Sequence, residues 1–273
     1  MDLCEHSTIG TVHRHRNRTS GTDSVTVQRI RHPQKLGDRL RSPDACAASF
    51  VVLFDGWPAD LERLHASLAR HLGARDWELV VVDNPVDSEG SERIAVLERV
   101  QHVPVRDHLG WAAGRNLGLR QAGGAIVVII DTSVEVAGDV LGRVERHLED
   151  PEIGLVGRWG VVSGDGFHFE EGKGPDVDGV EAYFMAMRRG DLAKTGLFDA
   201  KFKWYRNADV DFSFKVRDAG YRTVIDPALP LERHTHRLWE TTAEGKRDEL
   251  SRKNFFRFRD HWGERKDLFV ALD

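Results

Sequence analysis

Short apolar runs alternate with helical patterns between residues 49 and 149. The apolar runs have the length and the β-branched content of buried strands, and they lie at residues 50–54, 79–82 and 125–130. Helices are predicted at residues 58–72, 91–100, 111–122 and 138–149, with a further short strand at 101–105. Strands that alternate with helices at this interval predict a largely parallel sheet covered by helices on both faces.

The second half of the chain has a less regular pattern. Residues 158–179 are rich in glycine, acids and aromatics, which predicts a long loop. The elements predicted after it are a strand at 180–187, a helix at 209–219, a strand at 221–225 and a closing helix at 245–262. Phe255, Phe258 and Trp262 fall on one stripe of the closing helix. Such a stripe indicates packing against a core, with a membrane or partner surface as the alternative.

The first 45 residues differ from the rest in composition. They contain few aliphatic residues and a basic run at 13–18. This composition predicts a mobile or loosely packed extension. Contact with an anionic surface or with another subunit is the alternative. We therefore separate a basic N-terminal extension, residues 1–45, from a globular part that follows it.

Composition excludes several classes of protein. Hydrophobic residues make up 40% of the chain and charged residues 30%, as in ordinary globular proteins. The net charge of −5 gives no general attraction to nucleic acid. Two cysteines, Cys4 and Cys46, argue against a disulfide scaffold. No apolar run is long enough for a transmembrane helix or a signal peptide, so we expect a cytoplasmic protein; a peripheral membrane contact stays open.

An acid follows each of the three apolar strands. Asp55, Asp83 and Asp131 stand directly or closely after them. Ligands of parallel sheets bind beyond the carboxyl ends of the strands, so we expect these side chains to meet at one polar site. Taken singly, each acid could instead cap the helix that follows.

A later segment supplies a candidate general base. Residues 199–212 form an aromatic-rich turn that brings Asp209 and Asp211 to the first turn of a predicted helix. A carboxylate held there can take a proton from a hydroxyl group. The alternative is an acid that only stabilises the helix N-terminus through the helix dipole.

Four segments, in this order, resemble glycosyltransferase family 2. They are residues 80–84 (VVVDN), 110–118 (GWAAGRNLG), 127–131 (VVIID) and 199–212 (DAKFKWYRNADVDF), within a resemblance that spans roughly residues 48–236. The resemblance implies the GT-A fold, an α/β Rossmann-like mixed and mostly parallel sheet flanked by helices. It places a GT-A domain at residues 46–240 and a C-terminal helical closure at 241–273.

The resemblance also implies roles for individual residues. Asp209 would be the general base of an inverting transfer, with Asp211 beside it. The nucleotide-sugar site would contain Asp55, Asp83, Asn84, Gly114, Arg115, Asn116 and Asp131. The acceptor would contact Trp204 and Tyr205, although both could equally pack in the core. Mg²⁺ or Mn²⁺ would be held by Asp131, Ser133, His234 and His236, with Glu135 as a substitute ligand. Arg233 and Arg237 are candidates for phosphate contact.

The chain departs from the family pattern at three positions. Ser133 replaces the second acid of the Asp-x-Asp metal motif, and Ala208 replaces the first acid of the Glu-Asp-x-Asp motif. Pro85 follows Asp83-Asn84 where a small residue is usual. A hydroxyl is a weaker ligand than a carboxylate for a hard cation, so the metal site is the expectation that these changes affect most.

The function expected from these residues is transfer of a hexose-type sugar from a UDP, dTDP or GDP donor to a hydroxyl of a glycan or a small molecule, without nucleic acid as a partner. A degenerate domain that binds a sugar nucleotide or a glycan without catalysis is the second hypothesis, because two motif acids are missing. A nucleotidyltransferase ranks last, because residues 54–58 form no glycine-rich basic loop after the first strand.

Overall fold

The computed structural model describes residues 46–73, 75–84 and 88–271. The predicted extension at 1–45, with its basic run, and Pro85 lie outside these residues. The strands are β1 (Cys46–Phe54), β2 (Trp77–Asp83), β3 (Val100–Pro104), β4 (Gly124–Ile130), β5 (Val134–Val136), β6 (Ile153–Gly157), β7 (Gly160–Val162), β8 (Glu170–Glu171), β9 (Gly179–Val180), β10 (Phe184–Arg188), β11 (Arg222–Ile225) and β12 (Leu231–Arg233). The helices are α1 (Pro58–Leu72), α2 (Ser88–Ala95), α3 (Trp111–Gln121), α4 (Val140–Leu148), α5 (Leu192–Thr195), α6 (Ala208–Asp218), α7 (Arg237–Thr241) and α8 (Glu244–Trp262).

A seven-stranded mixed sheet organises the described chain. Its strand order is β11-β6-β10-β4-β1-β2-β3. Strands β4, β1, β2 and β3 are parallel to one another, and β10 is antiparallel to both of its neighbours. The mostly parallel sheet predicted from the sequence is therefore confirmed. The carboxyl ends of β1, β2 and β4 lie at the same edge.

Alternation along β1 divides the interior into two cores. Phe50, Val52 and Phe54 face the core that includes residues of α1 and α4. Val51 and Leu53 face the core that includes residues of α3 and α6. Successive side chains of a strand point to opposite faces, so a continuous apolar run is what a strand buried on both faces requires.

The predicted loop at 158–179 is wrong in part. Strands β7, β8 and β9 form a small antiparallel sheet there, in the order β8-β7-β9. Gly160 allows the close approach, because a β-carbon on it would lie 2.7 Å from the carbonyl oxygen of Gly179. Val180 belongs to this small sheet, and β10 begins only at Phe184. The strand predicted at 180–187 is therefore broken at residues 181–183.

The closing helix α8 packs largely as predicted. Phe258 and Trp262 are buried around Phe214, whose ring centroid lies 5.0 Å from that of Phe258. Phe255 is only half-buried and lines a cavity instead. The expectation of core packing is therefore wrong for Phe255 and confirmed for the other two.

None of the described helices combines sufficient length with sufficient apolar character to cross a bilayer.

Gly124, the first residue of β4, lies against the backbone of β1. A β-carbon at this position would lie 2.5 Å from the amide nitrogen of Ser49 and 2.6 Å from the carbonyl carbon of Ala48. Both are main-chain atoms of a central strand, so neither can rotate away. We expect Gly124→Ala to lower the free energy of unfolding by about 1–3 kcal/mol, measured by urea denaturation.

Gly190→Ala is the matched control. Nothing lies within 4 Å of the position that its β-carbon would take. We expect its free energy of unfolding to stay within about 0.5 kcal/mol of the parent. Equal stabilities of the two variants would contradict the close packing of β4 on β1.

Candidate active site

A cavity of about 790 Å³ opens at the edge where the central strands end. Its lining comes from Asp131 after β4, the segment between β9 and β10, the turn before α6, the segment from β12 to α7, and α8. These segments are far apart in the chain. The predicted site residues Asp131, Tyr205, Asp209, His234 and His236 all line this cavity.

Asp131 is held by the serine that replaces the second motif acid. Its Oδ1 accepts hydrogen bonds from the backbone N–H of Ser133 at 2.9 Å and from the Ser133 hydroxyl at 2.6 Å. The second oxygen, Oδ2, lies 3.5 Å from a guanidinium nitrogen of Arg115 and 3.7 Å from Nε2 of His236. Ser133 is buried. It therefore orients Asp131 and leaves Oδ2 facing the cavity.

Arg115 lies beneath the site, within the sheet edge. Its side chain is 1% exposed, and its guanidinium donates hydrogen bonds to the carbonyls of Val51 at 3.0 Å and Ile130 at 2.7 Å. Burial lowers the pKa of Arg115, and the charges of Asp131 and Asp55 act against that shift. The structure thus makes Arg115 a brace for the site acids. The family resemblance had implied only that Arg115 belongs to the nucleotide-sugar site.

The two candidate metal histidines face different acids. His236 Nε2 points to Asp131, whereas His234 Nε2 lies 3.0 Å from Glu135. Glu135, Glu232 and His234 form an exposed group whose ligand atoms lie within 4.8 Å of one another. His236 also caps α7, because its Nδ1 accepts a hydrogen bond from the backbone N–H of Trp239 at 3.2 Å. The expected joint site of Asp131, Ser133, His234 and His236 is thus divided into two groups.

The acids after β1 and β2 form a second part of the site. Asn84 is buried, and its amide nitrogen donates to Asp55 Oδ1 at 3.3 Å while its oxygen accepts from the backbone N–H of Leu109 at 2.8 Å. Burial raises the pKa of Asp55. Asp83 Oδ2 accepts from Ser91 and His102. Its Oδ1 is buried and has no hydrogen-bond partner among the described residues.

Two residues of the 110–118 motif serve packing within the described structure. A β-carbon on Gly114 would lie 2.4 Å from Cδ1 of Leu53, so this glycine lets α3 approach β1. Asn116 uses both ends of its amide on the backbone of Phe198, at 2.8 and 2.9 Å. Neither residue lines the cavity described above. The motif therefore positions the segment that leads to α6.

Asp209 is a desolvated carboxylate in the cavity wall. Oδ2 accepts a hydrogen bond from the backbone N–H of Ala182 at 3.1 Å, and Oδ1 accepts one from its neighbour Val210 at 3.0 Å. Burial raises the pKa of Asp209 despite these donors. A carboxylate with a raised pKa is a stronger base than one in water.

Glu181 is a second cavity acid, and the sequence analysis missed it. Burial raises its pKa, and the charge of Asp209 raises the pKa further. Its Oε2 lies 3.4 Å from a guanidinium nitrogen of Arg233. Glu181 was missed because residue 181 was assigned to the strand predicted at 180–187. An acid between Val180 and Ala182 was the available signal, since a buried strand does not favour a carboxylate.

Asp211 lies outside the cavity, between α6 and α8. Its Oδ1 accepts hydrogen bonds from Nδ1 of His261 at 2.6 Å and from Nε1 of Trp262 at 2.9 Å. The side chain is fully buried. The structure thus separates the two motif acids, with Asp209 at the cavity and Asp211 anchoring the closing helix.

The two aromatics predicted for the acceptor are also separated. Tyr205 lines the cavity, with its ring centroid 4.7 Å from that of His236. Trp204 is buried behind Tyr205, at a centroid distance of 4.7 Å, and does not line the cavity. Trp239, at 6.4 Å from Tyr205, continues the aromatic wall.

The sequence matches a family model over the part of the chain that builds this site. The model described as Glycosyl transferase family 2 matches residues 50–211, which is more than half of the chain. The chain belongs to glycosyl transferase family 2. The family resemblance of its motifs is confirmed. Comparison with curated proteins finds none that matches the sequence.

Solved structures share the GT-A fold with this member of the family. GalNAc-T7, crystallised with UDP, GalNAc and Mn²⁺, matches with a TM-score of 0.65 at 15% identity, over 81% of this chain and 49% of that one. The mannosyltransferase PcManGT from Pyrobaculum calidifontis, in complex with GDP-Man and Mn²⁺, matches with a TM-score of 0.58 at 21% identity, over 75% and 62%. S. aureus TarS 1–349 in complex with UDP matches with a TM-score of 0.56 at 16% identity, over 83% and 76%. The chain thus spans about half of the first protein and less than two thirds of the second.

The burial of Asp211 predicts a structural phenotype for its loss. Asp211→Ala would leave the buried indole N–H of Trp262 without its acceptor, which costs about 1–3 kcal/mol. We expect a loss of stability of that size in urea denaturation, with nucleotide affinity unchanged. Asp218→Ala, which removes an exposed acid of the same helix, is the control and should cost less than about 1 kcal/mol. An Asp211→Ala protein that is as stable as the parent but has lost turnover would contradict the structural role and indicate that Asp211 takes part in the reaction.

Proposed function

We propose that this chain is an inverting glycosyltransferase that transfers a sugar from a nucleoside diphosphate-sugar to an acceptor hydroxyl, with Asp209 as the general base. One observation carries the proposal. The desolvated carboxylate of Asp209 shares a cavity with Asp131, the acid that the family pattern assigns to the diphosphate end of the donor.

The fixed geometry of Asp209 suits proton transfer. The backbone N–H groups of Ala182 and Val210 hold one oxygen each, and each oxygen keeps a further lone pair for an acceptor hydroxyl. As the hydroxyl oxygen attacks the anomeric carbon, its proton passes to Asp209. The bond from that carbon to the diphosphate oxygen breaks on the opposite face of the sugar, and the diphosphate leaves with the electron pair.

The acids after β1 and β2 supply acceptors for the nucleotide. The unpaired Oδ1 of Asp83 can accept a hydrogen bond from a base imide or a ribose hydroxyl. Asp55 and Asn84 lie next to it, joined by their own hydrogen bond. UDP and GDP-sugar donors are the ligands named for GalNAc-T7 and PcManGT, so a UDP, dTDP or GDP donor is our proposal for this chain.

A divalent cation fits one pair of ligand atoms in the cavity. Asp131 Oδ2 and His236 Nε2 are 3.7 Å apart, so both can bind one ion, with water and the diphosphate completing its shell. Such an ion, Mg²⁺ or Mn²⁺, would neutralise charge on the leaving diphosphate. The bond from the Trp239 amide to Nδ1 places the proton of a neutral His236 on Nε2. To bind a metal through Nε2, His236 would have to move that proton to Nδ1. The oxygens of the diphosphate would be the other ligands of the ion.

The base assignment predicts loss of turnover without loss of binding. Asp209→Asn keeps the shape of residue 209 and one of its two backbone hydrogen bonds, because the amide has a single acceptor oxygen, and it cannot take a proton. We expect the rate of sugar transfer to fall about 10²–10⁴-fold, while the shift in melting temperature caused by the nucleoside diphosphate is retained. Transfer is measured with each donor as release of the nucleoside diphosphate.

The pH dependence of the parent protein provides the control. Asp209 acts ionised, so activity should fall as the pH drops through a pKa that is higher than that of an ordinary aspartate. Glu181→Gln removes the neighbouring negative charge and should move this acid limb to lower pH. Full turnover in Asp209→Asn would remove Asp209 from the mechanism. Donor binding without any transfer or hydrolysis by the parent would favour the non-catalytic binding domain.

The metal proposal predicts that diphosphate and cation bind together. In a thermal-shift screen of UDP, GDP and dTDP, we expect one nucleotide to stabilise the parent more when Mn²⁺ is present. Asp131→Asn should lose the Mn²⁺-dependent part of this shift, whereas His234→Asn should retain it because His234 faces Glu135. A shift that is independent of Mn²⁺ in the parent would contradict the metal site.

A further inference from the structure

Positive charge gathers where α8 closes the cavity. Arg206, from the turn before α6, and Arg252, from α8, line the cavity. Arg247 lies five residues before Arg252 in α8, with its guanidinium 4.3 Å from the ring of the lining residue Trp239. Within the described part of the chain, no carboxylate lies within 4.0 Å of these three guanidinium groups. We call these three residues the arginine cluster.

Hydrogen bonds from α8 hold this arrangement together. The side-chain amide of Asn254 donates to the carbonyl of Trp204 at 2.7 Å and to that of Arg206 at 2.8 Å. Arg247 donates to the carbonyl of Trp239 at 3.3 Å. Arg206 reaches the same indole from the other segment, at 5.5 Å from its centroid. Arg206 and Arg247 thus meet at one aromatic ring from two distant parts of the sequence.

An apolar surface adjoins the arginine cluster. Phe167 and Phe255 line the cavity, and their ring centroids lie 6.1 Å apart. Phe256 follows at 6.0 Å from Phe255. Phe167 is 53% exposed and Phe256 is 59% exposed, so large apolar side chains face solvent at the cavity mouth. We call Phe167, Phe255 and Phe256 the phenylalanine rim.

The local charge differs in sign from that of the whole chain. Residues 251–259 contain four Arg or Lys and no acid, although the net charge of the chain is −5. Among the acids near this end, Glu240 lines the cavity, and Asp165 lies in the loop that carries Phe167. The Asp165 carboxylate is engaged by His168 and by the backbone N–H groups of 167 and 168. Four acids and three arginines line the cavity as a whole, and Arg206 interacts electrostatically with Glu181 and Asp209. The excess of cations is therefore limited to residues 251–259 of α8.

We propose that the acceptor is an anionic amphiphile, with a phosphate bound by the arginine cluster and a hydrocarbon chain lying on the phenylalanine rim. Planar guanidinium groups pair with phosphate oxygens through two parallel hydrogen bonds. A hydrocarbon chain would remove the exposed phenyl rings from water. The inference rests on the proposed function, because the same cavity holds Asp209.

The position of the cluster distinguishes it from the donor phosphates. The donor diphosphate is assigned to Asp131 and His236. Tyr205 lies between that pair and the cluster, since its ring packs 4.7 Å from His236 on one side and 6.4 Å from Trp239 on the other. An acceptor held at Trp239 can thus present a hydroxyl to Asp209 without displacing the diphosphate.

The test uses decyl phosphate with the full chain, below the concentration at which the probe forms micelles. Inorganic phosphate carries the charge alone, and decyl maltoside carries the chain alone. We expect decyl phosphate to bind at least about tenfold more tightly than either, by isothermal titration calorimetry. Arg206→Ala with Arg247→Ala, and separately Phe167→Ser with Phe255→Ser, should each weaken decyl phosphate binding about tenfold.

Matched controls use residues away from this mouth. Arg146→Ala removes an exposed arginine of α4, and Val96→Ser removes an exposed apolar side chain after α2. Both should bind decyl phosphate as the parent does. Decyl phosphate that binds no more tightly than the partial probes would overturn the proposal. Arginine variants that weaken nucleoside diphosphate binding instead would assign the cluster to the donor and overturn it too.

A vesicle experiment separates a bilayer acceptor from a dissolved one. Phosphatidylcholine vesicles with and without phosphatidic acid are sedimented with the parent and with Phe167→Ser/Phe256→Ser. Binding that requires phosphatidic acid and is lost in this variant assigns the acceptor to a bilayer, whereas decyl phosphate binding without vesicle binding assigns it to a dissolved molecule. Vesicle binding that survives in this variant and disappears when Arg14, Arg16 and Arg18 are changed to Ala would overturn the bilayer source. If decyl phosphate does not bind as expected but nucleotide binding and sugar transfer are retained, the acceptor proposal is wrong and the proposed function is not affected.

Discussion

The buried guanidinium of Arg115 is the interaction on which the geometry of the site depends. A charge without access to water must be surrounded by acceptors, and here they are main-chain carbonyls of two adjoining strands. Asp55 and Asp131 directly follow those strands, β1 and β4. The same cation that ties the strands together also lies against Asp131. Strand spacing and acid placement are thus set by a single side chain.

The sequence was sufficient for the sheet and for the edge at which the acids meet. Each strand is a continuous apolar run that ends near an acid, and parallel strands bring their ends to one side. The order of the motifs then supplied the family. None of this requires knowledge of contacts that are distant in the sequence.

The direction in which individual side chains point could not be predicted from the local sequence pattern. Asp209 and Asp211 are two residues apart on one helix, so they point in very different directions. Only the indole of Trp262, 51 residues later, shows which of them is buried against α8. His234 and His236 were expected to hold one ion together. The start of α7 at Arg237 and the position of Glu135 turn them to separate acids.

The loss of one motif acid is accompanied by a carboxylate from elsewhere. Ala208 is buried and brings no charge to the cavity, yet Glu181 stands beside Asp209 because the chain breaks between β9 and β10. That break depends on glycines that let β7 and β9 approach closely, a tertiary feature that periodicity alone conceals. The negative charge of the cavity is therefore distributed differently from what the motif indicates.

His236 joins ligand binding to the integrity of a short helix. Its Nδ1 stabilises the first turn of α7 as an acceptor, while its Nε2 faces Asp131. A ring that binds a metal through Nε2 carries its remaining proton on Nδ1 and can no longer accept from the Trp239 amide. A metal ion on Nε2 would then leave the Trp239 amide with its bond to the His236 carbonyl at 3.0 Å and remove the side-chain part of the cap. The cap of α7, the helix that carries Trp239, would be weakened. By thermodynamic reciprocity, a ligand that stabilises the start of α7 would lower the affinity of His236 for the ion. The proposed donor and acceptor would thus be coupled through one imidazole.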